Sequence, residues 1–562
     1  MRSFALAVVV LGAVMPGGPA MLGGCSPAGG QAMGASPSWR GGGGQAAQAP
    51  SRGPTTFAPT SAAAVRYNEP VAAVPRSELG DAVTAAVRDA AQAARLPVPT
   101  ADARLFRACA ELAELVLDHG MVAYPVIEFA MQRHGIIEPA PEMLIVWGQV
   151  DAPEPVVQEL QPKLLGLLRD GATARLGVGA ARHASDAAGV VVFALQASGV
   201  STAPIPRRLG AGGAATIDAV LDARFHDPEV FVTYHDGTTQ QLALGPGRPG
   251  GFTARFACAE YPGREQVEIT ASDTAGATVL ANFPVWCGVA PPRSVAVEPL
   301  PDEAPVTADE AERQLFAAVN RDRARAHLPA LIWDGAVAQV ARNYAEEMRR
   351  THIVAHVSPT SGSAGDRVRA ASIRTGVVLE NVARAYGLDE AHQALMNSPG
   401  HRANLMSALA THVGMGVAFG ETSSGRRELL IAQVFIRVPP AIDHGQALAA
   451  VRHKLAAARP VPAATQLDQL AQQVADGLAA GKSADVAYRS ISDQVTRLGK
   501  IYQRVGSVIT AVADLDSVDG AGLFGSSAAD ELGLGIAQGP HPQIGDNALW
   551  IVVLLASRRA AH

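Results

Sequence analysis

Residues 398–405 have the sequence Ser-Pro-Gly-His-Arg-Ala-Asn-Leu. Ser398 followed by Pro399 is typical of a helix N-cap and first helical turn. His401 is therefore expected in the first turn of a helix, where the helix dipole disfavours a charged imidazolium. Because a neutral ring is the form that binds metals, the stretch predicts a helix start that carries a candidate ligand.

Other short motifs precede and follow this stretch in a defined order. They are Asn320-Arg321, Leu328-Pro-Ala-Leu-Ile-Trp-Asp334, His356-Val-Ser-Pro359, Glu380-Asn-Val-Ala383, Gly414-Met-Gly416 and Gln433-Val-Phe435. Each motif alone is weak. In this order, however, the set closely resembles the bacterial branch of the CAP superfamily, which comprises cysteine-rich secretory, antigen 5 and pathogenesis-related proteins. The resemblance is confined to residues 305–440.

The resemblance implies an α-β-α sandwich with a cavity that holds two histidines and two acids, where some members bind a divalent metal. His356 and His401 match the two histidines, and Glu380 matches one acid. The family usually has a Glu shortly after the first histidine, but here His356 is followed by Val-Ser-Pro-Thr-Ser. The nearest carboxylate, Asp366, is more distant, so the acid set is incomplete.

Two interpretations of this cluster remain open. Two imidazoles, one carboxylate and water can hold zinc or another divalent cation in a solvent-open site formed by His356, Glu380 and His401. Alternatively, the cluster is a hydrogen-bonded polar network, or Glu380-Asn381 only begins a helix and Arg402 balances Glu380. The resemblance also assigns side chains that support the cavity wall, namely Asn381, Ser398, Arg402 and Asn404.

The N-terminus predicts export. Residues 4–15 form an apolar stretch of about a dozen residues, long enough for a signal-peptide core but too short to span a bilayer. Leu22-Gly-Gly-Cys25 resembles a bacterial lipobox, in which the cysteine carries the lipid. We therefore expect a lipoprotein anchored through Cys25 to the outer membrane or cell surface. An ordinary secretory signal with an incidental cysteine is the alternative.

The remaining cysteines agree with an oxidising compartment. Cys258 and Cys287 flank a segment with strand patterning, and we predict that they form a disulfide. Cys109 lies on an apolar helical face and is predicted to be a buried free thiol.

Composition and patterning predict an α+β protein with several domains. We predict a lipoprotein signal peptide at 1–24, a disordered tether at 25–65, an α+β domain at 66–200, a β-sandwich at 201–292, a linker at 293–304, the CAP-like domain at 305–440 and a further α+β domain at 441–562.

An internal repeat connects three of these segments. Each has an Ala-rich helix, a second helix, a Gly-x-Gly strand and an apolar closing strand. The Gly-x-Gly strands contain Gly177-Val-Gly179, Gly414-Met-Gly416 and Gly533-Leu-Gly535. Because the first and last segments lack the His-Glu-His set, they are predicted to be degenerate CAP-like copies.

The leading functional hypothesis is a surface module that binds an extracellular or periplasmic ligand, whether lipid, peptide or protein. A zinc-dependent hydrolase of peptide or cell-wall material, with Glu380 as general base, is the second hypothesis. A structural spacer is the third. The net charge of −6 and the lack of a basic run argue against nucleic-acid binding.

Overall fold

A computed structural model of the chain describes residues 7–10, 55–71, 73–119, 123–169, 173–183, 188–297, 307–421, 427–524 and 528–559. This part of the chain is mixed α+β, as predicted. The predicted lipobox and Cys25 lie outside the described residues. No helix in the described part is both long and apolar enough to cross a membrane.

The first helical region has three layers. A sheet with the strand order β4-β6-β7-β5 lies between two layers of helices. Its elements and those before it are β1 (Ala7–Val10), β2 (Thr55–Phe57), β3 (Arg66–Tyr67), α1 (Glu78–Ala93), β4 (Thr100–Ala101), α2 (Ala103–His119), α3 (Tyr124–Arg133), β5 (Glu142–Gln149), α4 (Pro153–Arg169), β6 (Thr173–Arg182) and β7 (Ala188–Ala197). Alternate residues of β7 enter two cores: Val192 packs with α2 and α3, and Phe193 packs with α1 and α4. This double burial explains why the strand is apolar throughout.

Residues 200–287, which we call the β module, form two sheets. The strands of this module are β8 (Val200–Thr202), β9 (Ile205–Pro206), β10 (Arg208–Leu209), β11 (Ala214–Leu221), β12 (His226–Thr233), β13 (Thr239–Gln241), β14 (Leu244–Pro246), β15 (Gly251–Ala257), β16 (Gly263–Asp273) and β17 (Gly276–Cys287). Strand β9 lies outside both sheets and pairs with β3 of the first region. One sheet has the order β10-β17-β16-β12-β13, and the other has the order β14-β15-β11-β8. Val267 and Ile269 of the first sheet share one hydrophobic core with Phe252 and Phe256 of the second.

Both cysteine predictions for the described residues are confirmed. Cys258 and Cys287 form a disulfide with a Cα–Cα distance of 5.6 Å, and the bond connects the end of β17 to the segment after β15. Cys109 is a buried free thiol on α2.

The end of the predicted tether and the start of the predicted linker pair with each other. Strand β18 (Val295–Val297) is antiparallel to β2. Phe57 of β2 is buried against Phe129 of α3, with their rings in an edge-to-face arrangement. Residues 55–65 therefore differ from the prediction of disorder, because this segment carries a large aromatic side chain that packs on the first domain.

The central region has a four-stranded sheet in the order β19-β21-β22-β20. Its elements are α5 (Ala308–Arg325), β19 (Ile332–Trp333), α6 (Gly335–Thr351), α7 (Ala364–Ala370), β20 (Val378–Ala385), α8 (Leu388–Asn397), α9 (Pro399–Leu405), β21 (His412–Glu421) and β22 (Arg427–Ile436). Helices α5, α8 and α9 share a core with one face of the sheet, and α6 and α7 share a core with the other. The predicted α-β-α layering is therefore present here.

The last region has a similar order of elements, but its described residues contain no α-helix between the first and second of its three long strands, where the central region has two. It contains α10 (His444–Ala458), α11 (Thr465–Ala479), α12 (Ala484–Arg489), α13 (Ser492–Leu498), β23 (Tyr502–Val512), β24 (Glu531–His541) and β25 (Gly545–Arg558). Its sheet has the order β1-β23-β25-β24. An isolated parallel bridge from Ala463 to Leu532 of β24 lies where β4 pairs with β6 and where β19 pairs with β21.

The Gly-x-Gly strands have the same packing role in all three regions. A Cβ atom at Gly179 would overlap the backbone of α2 at Ala110, and one at Gly416 would overlap α6 at Ala341. A Cβ atom at Gly535 would likewise overlap α11. Glycine is required at these positions because a helix lies directly against the strand.

Candidate functional site

The residues predicted to form the site come together from three elements. His356 lies in the loop between α6 and α7, Glu380 is on β20, and His401 is in the first turn of α9. The alternative in which Glu380-Asn381 only begins a helix is wrong, because both residues belong to a regular strand paired with β22.

The carboxylate of Glu380 is held by two side chains. Its Oε2 atom is 3.0 Å from Nδ1 of His356, and its Oε1 atom is 2.5 Å from Nη2 of Arg367 on α7. The guanidinium of Arg367 also stacks over the ring of Tyr344, 3.4 Å from the ring centroid. The ion-pair partner of Glu380 is therefore Arg367, not Arg402.

Ser398 occupies the N-cap position of α9 as predicted, but its side chain makes no capping hydrogen bond. Its hydroxyl donates instead to Oε2 of Glu268, a residue of β16 in the β module, over 2.5 Å. The same oxygen is 2.6 Å from Nδ1 of His401. When Glu268 is ionised it can only accept, so the hydroxyl hydrogen is directed to Glu268 and the hydroxyl oxygen accepts from Nδ1 of His401. The network thus assigns the ring proton to Nδ1 and leaves Nε2 with a free lone pair.

Burial determines the charge state of this network. His401 is fully buried, and burial together with the nearby His356 lowers its pKa well below the usual value. The ring is neutral as predicted, although burial rather than the helix dipole is the main cause. Burial also raises the pKa of the Glu268 carboxyl to about 7, and the hydrogen bonds from Ser398 and Gly400 oppose that rise.

The ring nitrogen Nε2 is in the same situation in both histidines. In the described part of the chain, Nε2 of His356 and Nε2 of His401 are buried without a hydrogen-bond partner. The ring centroids are 6.5 Å apart, and the ring planes are inclined by 35°. Two imidazole nitrogens are suitable ligands for a divalent cation, but no group of three or more His, Cys, Asp or Glu is placed to hold one among the described residues.

The site is covered rather than open to solvent. The exposed fraction is 0% for His401, 4% for Glu380 and 7% for His356. The expectation of a solvent-open cavity is wrong because the β module lies over it, with Glu268 of that module hydrogen-bonded to Ser398.

The residues predicted to support the cavity wall have different positions. Asn404 donates to the backbone carbonyl of Glu380 over 3.0 Å, and Asn381 donates to the carbonyl of His401 over 3.3 Å. These two amides therefore tie β20 to α9. Arg402 donates to the carbonyl of Gly237 in the β module. Asp366 is exposed and caps α7, so it does not replace the missing family acid.

Comparison with known protein families identifies the central region. Residues 316–435 match the model of the CAP, or cysteine-rich secretory protein, family. The chain contains a CAP domain. The matched residues include α6 to α9 and therefore every residue described above at the site except Glu268.

The chain is similar over part of its length to several bacterial proteins. The chain is 34% identical over 108 residues to the uncharacterized membrane protein YlbC of Bacillus subtilis, covering 19% of this chain and 31% of that protein. It is 31% identical over 114 residues to the uncharacterized protein YkwD of the same organism, covering 20% and 44%. The chain thus spans less than half the length of both relatives. A solved extracellular SCP-domain protein from Bacillus anthracis is 25% identical with a TM-score of 0.22, covering 35% of this chain and 68% of that one.

Two residues were not predicted from the sequence but contact side chains of the site. Arg367 contacts Glu380, and Glu268 contacts Ser398. Arg367 follows the Ser363 and Asp366 capping box of α7, a signal that locates the helix but not the direction of its side chain. Glu268 alternates with the core residues Val267 and Ile269, so the pattern alone predicts an outward-facing surface residue.

Proposed function

We propose that this protein is an exported CAP-domain protein that binds a ligand at the His356–His401 cavity and does not hydrolyse it. The pair of buried, unpartnered Nε2 atoms carries this proposal. Unsatisfied polar atoms are rare in protein interiors and call for a specific explanation. A ligand that contacts both imidazoles supplies one, and lipid, peptide and protein groups are the classes we propose.

The state of Glu380 argues against the hydrolase hypothesis. A general base needs an oxygen atom within reach of the proton that it removes. Both oxygens of Glu380 are already engaged, one by Arg367 and one by His356. Glu380 therefore acts as a positioning residue that directs Nε2 of His356 into the cavity, as carboxylates behind metal-binding histidines do.

A divalent cation is the simplest ligand for two such nitrogens. Nε2 of His356 and Nε2 of His401 would hold it, and the cation would provide a Lewis acid for a further ligand. Two imidazoles on one zinc ion have ring centroids about 5–6 Å apart, given zinc–nitrogen bonds of about 2.0–2.1 Å. Since the observed separation is 6.5 Å, the rings must approach each other, and we expect weak binding.

Zinc titration of the purified mature protein tests this proposal. We expect calorimetry to detect binding in the wild type and none in His356→Ala or His401→Ala, because each variant removes one of two ligands. Binding should weaken as pH falls, since protons compete for the imidazole nitrogens.

The exposed His352, beside the site in sequence but outside it, provides the control. His352→Asn should bind zinc like the wild type. Equal binding in all four proteins would place the metal site elsewhere, and no binding in any of them would leave a structural polar network.

We also propose that the protein is anchored to the cell envelope by a lipid on Cys25. The apolar segment at 4–15 and the motif Leu22-Gly-Gly-Cys25 support this. Cys25→Ser should move the protein from the detergent phase to the aqueous phase in a detergent partition, because the acyl chains contribute about 0.8 kcal/mol per buried CH₂. Retention of the variant in the detergent phase at the wild-type level would rule out lipidation at this residue.

We infer that the first and last helical regions are degenerate CAP-like copies. The shared strand order and the three glycine strands packed on an equivalent helix support this inference. Both copies lack the histidine pair, so we assign them a scaffold role beside the CAP domain.

A further inference from the structure

The outer face of β16 is buried although its side chains are polar. Gln266, Glu268 and Thr270 alternate with the core residues of the β module, and their exposed fractions are 6%, 0% and 1%. A strand that is polar on its outward face ordinarily faces water. Here α9 of the CAP domain packs against β12, β13 and β16, so this face is an interface between the two domains.

Glu268 is the most fully engaged side chain of that interface. Its Oε1 atom accepts a hydrogen bond of 2.7 Å from the backbone N–H of Gly400, and its Oε2 atom accepts the hydrogen bond from Ser398. Ser398 in turn contacts His401. The carboxylate of the β module is therefore connected to a cavity histidine through a single hydroxyl group.

The turn between β16 and β17 covers the second histidine. The carbonyl of Ala275 accepts a hydrogen bond of 3.0 Å from the N–H of Val357, next to His356. Gly276 has a φ of +99°, and a Cβ atom there would lie 3.0 Å from Cβ of His356. The turn thus reaches the histidine loop only because the residue at this position has no side chain.

Two further contacts at this interface are hydrogen bonds. Nε of Arg402 donates to the carbonyl of Gly237 over 3.2 Å, and Asn282 donates to the carbonyl of Asn397 over 3.3 Å. The hydrophobic core of the β module and those of the CAP domain are separate. Interfaces of this polar kind between domains permit relative motion.

We propose that the β module is a lid over the buried His356–His401 pair and that the hydrogen bonds of Glu268 hold it closed. The module must move away before a ligand reaches Nε2 of either histidine. The proposal rests on the ligand-binding function proposed above, because a lid has a purpose only over a site that is used. The lid proposal concerns access to the site, however, and the accessibility of His356 and His401 can be measured without any ligand.

Carbethoxylation of histidines by diethyl pyrocarbonate measures that access in the mature chain. The reagent modifies neutral imidazoles that it can reach, and peptide mass spectrometry gives a rate for each histidine. In the wild type, His356 and His401 should react much more slowly than the exposed His352. Glu268→Ala should accelerate both by about tenfold or more, since it removes the two hydrogen bonds that Glu268 accepts from Ser398 and Gly400. Arg402→Ala, which loosens the interface from the CAP side, should give a smaller increase.

Glu265→Ala is the matched control. Glu265 is also fully buried on β16, but it accepts hydrogen bonds from His235 and Ala259 within the β module. This variant should leave the rates of His356 and His401 unchanged. Equal rates in the wild type and Glu268→Ala, or an equal acceleration by Glu265→Ala, would overturn the lid.

Zinc titration of the same variants separates the two proposals. If Glu268→Ala opens the cavity but neither protein binds zinc, the lid stands and the metal-binding proposal fails. If both proteins bind zinc equally fast, the module does not control access and the lid proposal fails. Faster zinc association in Glu268→Ala, with loss of binding on adding His401→Ala, supports both.

Discussion

Arg367→Ala is expected to lower the free energy of unfolding of the CAP domain by about 3–5 kcal/mol, the cost of leaving one partner of a buried ion pair alone. Glu380 is only 4% exposed, and Arg367 forms a buried ion pair with it. The variant also removes the stacking of the guanidinium on Tyr344. Calorimetric unfolding of the full chain should show the CAP transition at a lower temperature.

Arg369→Ala is the control, because Arg369 lies on the same helix and pairs with the exposed Asp366. Exposed ion pairs contribute about 0.2–1 kcal/mol, so this change should be small. Combining Glu380→Gln with Arg367→Ala should restore part of the lost free energy of unfolding, because no unpaired buried charge then remains at position 380. If Arg367→Ala costs no more than Arg369→Ala, Glu380 is not held as an ionised carboxylate in the folded protein.

Gly416→Ala is expected to cost about 3 kcal/mol or to prevent folding of the CAP domain, since inserting a methyl group into a close-packed contact typically costs about 1–3 kcal/mol and occasionally more. The added Cβ atom would overlap the backbone of α6 at Ala341 and Arg342. Backbone atoms inside a helix cannot rotate away as a side chain does, so the helix must shift from the sheet. Chemical denaturation of the variant measures the loss.

Gly335→Ala serves as the matched control, because Gly335 begins α6 and a Cβ atom there meets nothing within 4 Å. It should be neutral or slightly stabilising, since alanine favours the helix by up to about 1 kcal/mol. Gly179→Ala and Gly535→Ala should destabilise their own domains as Gly416→Ala does. A neutral effect at either position would contradict the equivalence of the three regions.

The sequence predicts the close helix contacts of the Gly-x-Gly strands better than it predicts the contact between the β module and the CAP domain. The Gly-x-Gly motif occurs in each of the three segments, so its repetition is visible without coordinates. The contact between Glu268 and Ser398 joins residues 130 positions apart, and no motif on either strand or helix indicates it. The alternation around Glu268 even predicts the opposite environment, an exposed face.

The sequence by itself determined the features that depend on neighbouring residues. Ser398-Pro399 predicts the start of α9, the alternation of Val267 and Ile269 predicts a core-facing strand, and the set of CAP motifs predicts the α-β-α domain. These signals are local, because capping and side-chain alternation depend on residues only a few positions apart.

Only the tertiary structure decided which groups surround the histidines. Arg367 rather than Arg402 pairs with Glu380, and Glu268 from another domain reaches Ser398. The cavity is closed rather than open for the same reason: burial depends on the docking of two separately folded cores, and the free energy of that docking comes from contacts between distant parts of the chain.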